Sequence, residues 1–232
     1  MIDIHSHLLY GIDDGSRSLE SSIDMLEAAA KDGVTSIVLT PHFSSGVSEK
    51  MQERVEKLRP EAAKFNIKLF TGSEYDFSHL VKQKKLITLG EKGNYVLVDF
   101  CLPFISPMTI NFLFEWQAKG YQVILAHPER LFSKNDLSVL KDLADSNVYF
   151  QLNAGSFMGN YGRGVRRFAK TLVKKGLCHF IASDAHSVRN YAGQIPACRK
   201  YIGKRLGTEL EKVFFEENPK RMLAGKPLVP IW

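Results

Sequence analysis

The stretch KDGVTSIVLTPH, residues 31–42, contains a helix end, a buried strand and a metal-ligand type in direct succession. Lysine and glycine are typical of a helix C-terminus, because the cap takes a left-handed backbone that suits glycine. The apolar run after Gly33 predicts a short strand, and Pro41 ends it, so that His42 enters the following loop. The stretch therefore predicts a helix–strand repeat whose strand delivers an imidazole at its C-terminal end.

The same order of lysine, glycine and apolar run recurs at 119–126 and 174–183. Further strands are predicted at 2–4, 67–71, 95–100 and 148–152, which makes seven in all. Between them, apolar residues at three- and four-residue spacing predict helices, as at Leu19, Ile23, Leu26 and Ala30. Alternating strands and helices predict a parallel sheet in an α/β fold.

Five of the strand-like runs lead into residues that commonly bind metals: His5 with His7, His42, Glu74, His127, and Asp184 with His186. In a closed barrel the C-terminal ends of all strands face one cavity. In an open doubly wound sheet, which is the alternative, distant strand ends do not converge. The shared pattern therefore favours an irregular, TIM-like (β/α)7 barrel, and we expect a single domain over 1–232.

The spacing of these residues along the chain indicates that neighbouring ones bind the same ion. His5 and His7 stand two apart, as do Asp184 and His186, and strand alternation places such pairs on one side. Imidazoles mixed with carboxylates suit zinc, manganese or iron. The loop Asp13-Asp14-Gly15 fits either a simple turn or an aspartate that reaches a metal, and of the two aspartates Asp14 is the preferred ligand.

The sequence neighbours of three other polar residues indicate their roles. Asp99 lies in the apolar run 95–100, where an unpaired carboxylate is costly to bury, so it needs arginine or metal, and we favour metal. His179 stands at the start of its predicted strand, which indicates a structural role at the opposite rim. His79 is expected on the surface or in a helix.

Arg130 and Arg189 follow metal-ligand types closely along the chain. A guanidinium offers paired donors that match phosphate oxygens, so a phosphate ester is the expected substrate. Cysteine-based phosphatases need an arginine six positions after the nucleophile, and Cys101, Cys178 and Cys198 all lack one. Phosphatase activity is therefore expected to depend on metal.

Composition bounds the class of protein. The 232 residues are 44% apolar and 24% charged, with a net charge of +6, which fits a folded domain. The N-terminus lacks a signal-peptide pattern, no apolar run is long enough for a membrane span, and no basic patch with interleaved aromatics indicates nucleic-acid binding. We expect a cytoplasmic protein without membrane insertion. The oligomeric state stays open.

The motifs at 1–7, 13–15, 40–42, 126–130 and 183–186 resemble those of the polymerase-and-histidinol-phosphatase (PHP) superfamily. Within it, the chain is most similar to metal-dependent bacterial tyrosine-protein phosphatases that regulate capsule synthesis. The resemblance spans nearly the whole chain and implies a distorted (β/α)7 barrel, the PHP fold. It implies up to three divalent ions, manganese first, with iron, zinc or magnesium as alternatives.

The resemblance also implies how the residues divide among the ions. One ion would be held by His5, His7, Glu74 and Asp184, a second by Glu74, Asp99 and His127, and a third by Asp14, His42 and His186. Arg130 and Arg189 would hold the phosphate while a hydroxide activated by the metals attacks phosphorus. The family pattern has glutamate where this chain has Asp99, and the shorter arm weakens that assignment.

The implied substrate is phosphotyrosine on the tail of an autophosphorylating bacterial tyrosine kinase that controls capsular or exopolysaccharide synthesis. Three alternatives remain. The chain could be a small-molecule phosphatase of the histidinol-phosphatase type, a metal-dependent nuclease, or an inactive barrel that regulates the kinase by binding it. The complete set of ligand types argues against the inactive barrel.

Overall fold

The computed structural model of the protein describes residues 1–101 and 107–231. Its strands among these residues are β1 (Ile2–Ser6), β2 (Ser36–Leu39), β3 (Lys68–Thr71), β4 (Glu74–Asp76), β5 (Tyr95–Asp99), β6 (Gln122–Ala126), β7 (Tyr149–Asn153) and β8 (Phe180–Ala182). Its helices are α1 (Leu19–Lys31), α2 (Val47–Lys64), α3 (Phe77–Leu80), α4 (Pro107–Ala118), α5 (Pro128–Leu131), α6 (Leu137–Asp145), α7 (Ala154–Met158), α8 (Gly162–Lys174), α9 (Val188–Tyr191), α10 (Gln194–Leu206), α11 (Thr208–Lys212) and α12 (Asn218–Leu223). A 3₁₀ turn covers Lys134–Asp136, and a π-helical turn covers Val213–Glu217.

The strands form a closed parallel barrel from two sheets, β1-β2-β3 and β4-β5-β6-β7-β8. At one seam the His7 amide donates to the Ala185 carbonyl at 3.0 Å, and the Asp184 amide donates to the His5 carbonyl at 2.9 Å. At the other seam the Phe43 amide donates to the Glu74 carbonyl at 2.8 Å. The predicted barrel is confirmed, and the open sheet is wrong.

The third strand of the barrel is broken into β3 and β4. β3 pairs with β2 and β4 pairs with β5, so the break at Gly72 and Ser73 lies between the two sheets. A Cβ on Gly72 would lie 2.7 Å from Leu89 Cδ2 and 3.0 Å from Val38 Cγ1, so a larger residue here would have to displace these two buried side chains. The sequence predicted β3 as the run 67–71 but not the separate segment β4, which begins at Glu74.

The helix ends that the sequence predicted are present. The glycines that follow α1, α4 and α8 have positive φ: 79° at Gly33, 90° at Gly120 and 72° at Gly176. At the other end of α1, the Ser18 side chain accepts from the Ser21 amide. Because each cap stops its helix a few residues before the next strand, the chain re-enters the barrel after a short turn.

The barrel interior is closed off at the N-terminal ends of the strands. Side chains from β1, β2, β5, β6 and β8 form an inner apolar cluster with Met222 and Leu228 of the C-terminal segment. Tyr95, the first residue of β5, donates a hydrogen bond from its hydroxyl to the Lys226 carbonyl at 2.9 Å. The C-terminal segment therefore covers this end of the barrel, and the interior opens at the C-terminal rim.

No helix in the two described ranges, 1–101 and 107–231, combines the length and apolar character that crossing a bilayer requires.

Candidate metal centre

The Nε2 atoms of His5 and His7 lie 3.2 Å apart inside the C-terminal mouth of the barrel. Glu74 Oε2 lies 3.4 Å from the His5 nitrogen and 3.3 Å from the His7 nitrogen. Asp184 Oδ1 lies 3.4 Å from each of them. All four side chains are buried, so β1, β4 and the end of β8 bring imidazoles and carboxylates together out of solvent.

The chemistry of this donor set fits a cation. Nitrogen and oxygen ligands held about 2.0–2.2 Å from one ion lie about 3.0–3.4 Å from each other, as these atoms do. Glu74 Oε2 is buried and has no hydrogen-bond partner, although His5, His7 and His42 nitrogens lie within 3.0–3.4 Å of it, because none is oriented to donate. A buried carboxylate oxygen without a donor is costly unless a cation satisfies it.

A second group joins the first through Glu74. Its Oε1 atom lies 3.0 Å from Nε2 of His127, which follows β6, while Oε2 faces the His5–His7 pair. His5, Glu74 and His127 have ligand atoms within 4.8 Å of one another. If each group held an ion, Glu74 would contribute one oxygen to each of them.

A third group lies nearer the solvent. Asp14 Oδ1 lies 3.5 Å from His42 Nε2 and 3.5 Å from His186 Nε2, and His7 completes the set. The side chain of Asp14 is 71% exposed and that of His42 48%, whereas His7 is fully buried. The three groups thus run from the barrel interior to its surface.

Two polar side chains that were not predicted as functional hold the first two histidines. Asp13 Oδ2 lies 2.7 Å from His7 Nδ1 and accepts from the His42 amide at 2.9 Å. Gln151 Oε1 lies 2.8 Å from His5 Nδ1. Because Nδ1 donates to these oxygens, Nε2 of each ring is left with a lone pair that faces the cluster.

The partner network continues along β7. Gln151 Nε2 donates to Asn153 Oδ1 at 2.8 Å, and Asn153 Nδ2 donates to Asp184 Oδ2 at 2.7 Å. Both residues are buried in a strand whose other members are largely apolar or aromatic. A Gln and an Asn two apart in such a strand was the signal that sequence reasoning missed, since they share the face that points into the barrel.

A buried aspartate fixes the backbone that carries Asp184. Asp3 accepts from the Ser183 amide at 2.9 Å, from the Ser183 hydroxyl at 2.6 Å and from the Tyr191 hydroxyl at 2.8 Å. Burial raises the pKa of Asp3, against the lowering effect of these hydrogen bonds. Ser183 is therefore an anchored residue of the seam between β1 and the end of β8.

An irregularity in β1 explains how consecutive residues both face inward. The pairing of β1 with β2 shifts register between Asp3 and Ser6. Ile4 packs in the inner apolar cluster, and His5 reaches Gln151 across the barrel. Bulges re-aim side chains in this way next to functional sites.

Two of the predicted ligands have strained backbones. His127 has a φ of 30° and Asp184 a φ of 53°, in the left-handed region that side chains with a Cβ avoid. Such strain costs about 1–3 kcal/mol and persists where the surroundings impose it. His127 directly follows β6 and Asp184 lies two residues after the end of β8, where the chain must bend to aim the side chain at the cluster.

Charged neighbours within the cluster shift the pKa values of Glu74 and His127. Burial alone would raise the pKa of Glu74, but the charge of His5 and the close contacts with His127 and His42 hold it well below its ordinary value. Burial alone would lower the pKa of His127, but contact with Glu74 outweighs this effect and raises the pKa to about 9. Metal binding must therefore displace protons from the imidazoles.

Arg130 lies at the edge of the first group. Its Nη1 atom donates to Asp184 Oδ2 at 2.7 Å, while Asp184 Oδ1 faces His5 and His7. The guanidinium is 40% exposed and stacks over the Tyr161 ring at 4.8 Å from its centroid. One end of Arg130 is thus fixed to the cluster and the other can meet a ligand in solvent.

The remaining predicted residues lie farther out. Arg189, in α9, is exposed, and its guanidinium makes no ion pair or hydrogen bond with any residue in 1–101 or 107–231. Asp99 ends β5, accepts from the Cys101 amide at 2.9 Å and falls outside the three ligand groups, although its charge helps raise the pKa of His127. His79 is exposed in α3, as expected.

Comparisons with known proteins agree with this geometry. The family model described as capsular polysaccharide synthesis, CpsB/CapC, matches residues 1–224. CapC of Staphylococcus aureus is 31% identical over 97% of this chain and 90% of its own length. The tyrosine-protein phosphatase YwqE of Bacillus subtilis is 31% identical over 98% of this chain and 93% of its own length.

Solved structures show the same architecture. One solved structure comes from a study of YwqE from Bacillus subtilis and CpsB from Streptococcus pneumoniae, which are described as unique metal-dependent tyrosine phosphatases. It superposes on this chain with a TM-score of 0.84 at 27% identity, covering 99% of this chain and 96% of its own. The phosphotriesterase homology protein of Escherichia coli shares the fold, with a TM-score of 0.62 at 14% identity, covering 96% of this chain and 98% of its own. The chain belongs to the CpsB/CapC family of capsular polysaccharide synthesis.

Proposed function

We propose that this protein is a metal-dependent protein-tyrosine phosphatase. Its substrate is phosphotyrosine on the tail of an autophosphorylating bacterial tyrosine kinase in capsular or exopolysaccharide synthesis. The observation that carries the proposal is Glu74, whose two oxygens face separate groups of imidazoles while Arg130 stands beside them. Its family supports the reaction, since YwqE is a tyrosine-protein phosphatase.

Three groups of residues would hold the ions. The first two ions would be held by His5, His7, Glu74, His127 and Asp184, and the outer one by Asp14, His42 and His186 with His7 shared. When bound, the ions supply positive charge to the phosphoryl group and lower the pKa of water. Asp99 is proposed to join the Glu74–His127 group by turning away from Cys101.

Arg130 is proposed to bind the phosphoryl oxygens through its exposed guanidinium edge. Its contacts with Asp184 and Tyr161 orient the fork before substrate arrives, which limits the entropy lost on binding. Arg189, three residues after His186, is proposed as a second phosphate contact. The phenolate of tyrosine has a pKa near 10, so it departs with less protonation than an alkoxide needs.

The metal and the location belong to the same proposal. The mixture of imidazole and carboxylate ligands suits manganese, with iron, zinc and magnesium as the alternatives. A cytoplasmic location is supported by the free thiols of Cys101, Cys178 and Cys198, two of them buried.

Phosphate release tests the function directly. The manganese-loaded protein is assayed with a phosphotyrosine peptide beside a phosphoserine peptide, histidinol phosphate and a phosphodiester, each with and without EDTA. We expect EDTA-sensitive preference for phosphotyrosine. Preference for histidinol phosphate or the diester would replace the substrate, and inactivity on all four with metal bound would leave a kinase-binding regulator.

Variants separate the roles of the residues. His5→Ala and Asp184→Ala should abolish turnover while circular dichroism shows the fold retained. Arg130→Ala should lose activity but keep its metal, because Asn153 still donates to Asp184 Oδ2. Loss of metal in Arg130→Ala would contradict the phosphate-binding role and show that Arg130 only stabilises the cluster.

A further inference from the structure

A groove with basic walls opens beside Arg130, on the outer side of the metal cluster. It has a volume of about 480 Å³ and lies between the turn after β6 and the first half of α8. Phe132 and Phe168 form a buried apolar floor, and Lys134 and Arg167 are exposed at its walls. We call this feature the basic groove.

The positive charge of the basic groove is not neutralised by the protein. Residues 154–183 include Arg163, Arg166, Arg167, Lys170, Lys174 and Lys175 and contain no Asp or Glu. Neither Lys134 nor Arg167 forms an ion pair with any residue in 1–101 or 107–231. The one carboxylate in the groove lining, Glu129, is 1% exposed and accepts from the Asn153 amide and the Ser156 hydroxyl.

Other helices of the same chain pair their charges. On α2, Lys57 lies 2.6 Å from Glu53, and Lys64 lies 2.7 Å from Glu61. The last turn of α1 has the same arrangement, with Lys31 2.6 Å from Glu27. Lys134 and Arg167 thus lack the intramolecular carboxylate partners that these three lysines have.

The basic groove is continuous with the metal centre. Arg130 lines it and also donates to Asp184 at 2.7 Å. The ring of Tyr161, just before α8, packs on the Arg130 guanidinium on the same side. A peptide whose phosphotyrosine reaches the cluster would therefore lay the adjoining residues along the groove, where anionic side chains meet unpaired cations.

We propose that the basic groove is a specificity site for carboxylate side chains that flank the phosphotyrosine, so that the enzyme prefers phosphotyrosine within an acidic peptide segment. The inference rests on the proposed function and adds the class of peptide to it. The cations lie at an exposed rim, where charge acts mainly on encounter and orientation. The preference should therefore appear in KM and weaken as salt screens the charges.

Two peptides of equal length test the proposal. Each contains one phosphotyrosine; one has glutamates on both sides and the other has glutamines at the same positions. At low ionic strength we expect the acidic peptide to have the higher kcat/KM, by roughly two- to fivefold for each exposed charge pair formed. Equal kcat/KM values for the two peptides would overturn the proposal.

A matched pair of double variants locates the effect. Lys134→Gln with Arg167→Gln should bring the ratio of the two kcat/KM values close to one. Lys200→Gln with Lys204→Gln removes the same charge from a cleft that contains Met1, at the opposite rim, and should leave the ratio unchanged. Equal loss of preference in both double variants would assign it to net charge and reject the groove.

Failure of the proposed function would look different. If the metal-loaded protein hydrolyses neither peptide, the phosphatase assignment fails. Binding of the two peptides, carrying a non-hydrolysable phosphonate in place of the phosphate, is then compared by fluorescence anisotropy. Tighter binding of the acidic peptide that depends on Lys134 and Arg167 would support the groove in a binding protein, and equal binding would reject it.

Discussion

Asp13 both forms the turn in the loop after β1 and contacts the His7 ring. Its Oδ1 atom accepts from the Gly15 amide at 3.0 Å, which forms the turn, and Oδ2 lies 2.7 Å from His7 Nδ1. The side chain of Asp13 is 5% exposed, in contrast to the 71% of its neighbour Asp14. The buried aspartate thus orients a ligand, while the exposed one is free to be a ligand itself.

Asp13→Ala should weaken metal binding by about 10- to 100-fold with the fold retained, because His7 loses the acceptor that fixes its tautomer and ring orientation. Metal titration followed by elemental analysis measures this. Asp24→Asn, which removes an exposed carboxylate from α1, is the control and should bind metal normally. Unchanged metal affinity in Asp13→Ala would show that the cluster holds His7 without help.

Asp99→Glu should increase occupancy of the ion held by Glu74 and His127. The Asp99 carboxylate now accepts from the Cys101 amide and stands outside the ligand groups, and one more methylene extends it past that contact. Metal stoichiometry at limiting manganese is the measurement, with Asp76→Glu on the neighbouring strand as the control. Lower occupancy in Asp99→Glu would mean that aspartate is already the better-fitting ligand.

At the scale of elements, the broken third strand places Glu74. Beyond Gly72 the chain leaves β2, and the Ser73 hydroxyl donates to the Pro41 carbonyl at 2.8 Å. The amide of Glu74 also donates to Pro41, at 3.1 Å. Glu74 thus lies beside His42 in the same register that joins β3 to β2, while its own strand, β4, pairs with β5 on the other side.

Gly15→Ala should destabilise the loop that follows β1. A Cβ there would lie 2.1 Å from the His7 carbonyl oxygen and 2.5 Å from His7 Cβ, which are backbone-fixed positions. We expect a loss of about 1–3 kcal/mol in the free energy of unfolding, together with weaker metal binding at His7 and Asp14. Denaturant titration of the metal-free protein and metal titration measure the two effects.

The control for this substitution is Gly203→Ala in α10, where the nearest atom to a new Cβ is 3.8 Å away in the Glu211 side chain. Alanine in a helix interior is favoured over glycine by about 0.5–1 kcal/mol, so this variant should gain stability. Equal stabilities of Gly15→Ala and the parent protein would mean that the loop moves freely and does not brace His7.

At the scale of the whole molecule, closure of the barrel and assembly of the site are the same event. The seam between β1 and the end of β8 joins His5 and His7 to Asp184 through backbone hydrogen bonds. The proposed ligands on the first strand and after the last one therefore become neighbours only when these two strands pair. The rim at the N-terminal ends of the strands contributes to stability and not to the chemistry of the site, as is usual for barrels of this kind.

His179, at that other rim, should make stability depend on pH. Its Nδ1 accepts from the Phe150 amide at 3.1 Å, and burial lowers its pKa to about 4. Because the folded pKa lies below the ordinary 6.5, the unfolded chain takes up the proton first. Stability should therefore fall as pH drops from 6.5 towards 4, by at most about 1.4 kcal/mol per pH unit, and level off below.

His179→Asn keeps an acceptor for Phe150 and removes the titration. Urea unfolding of the EDTA-treated protein at several pH values should show a shallower fall in stability for the variant between pH 6.5 and 4. The ligand histidines titrate in both proteins and cancel in the difference. Parallel curves for the two proteins would assign the acid sensitivity to the metal cluster instead.

The repeating unit, the parallel strands and the metal-ligand residue types at their ends could be predicted from the sequence alone, because glycine caps, apolar runs and strand-end histidines are local signals. His5, His42 and His127 could be picked out this way. Local spacing does not specify which strand ends meet, since pairing depends on packing across the whole chain. Only the tertiary structure set Glu74 between two groups of ligands. It also recruited Asp13 and Gln151 as partners of the histidines, because a hydrogen bond across a barrel leaves no pattern in the neighbouring residues.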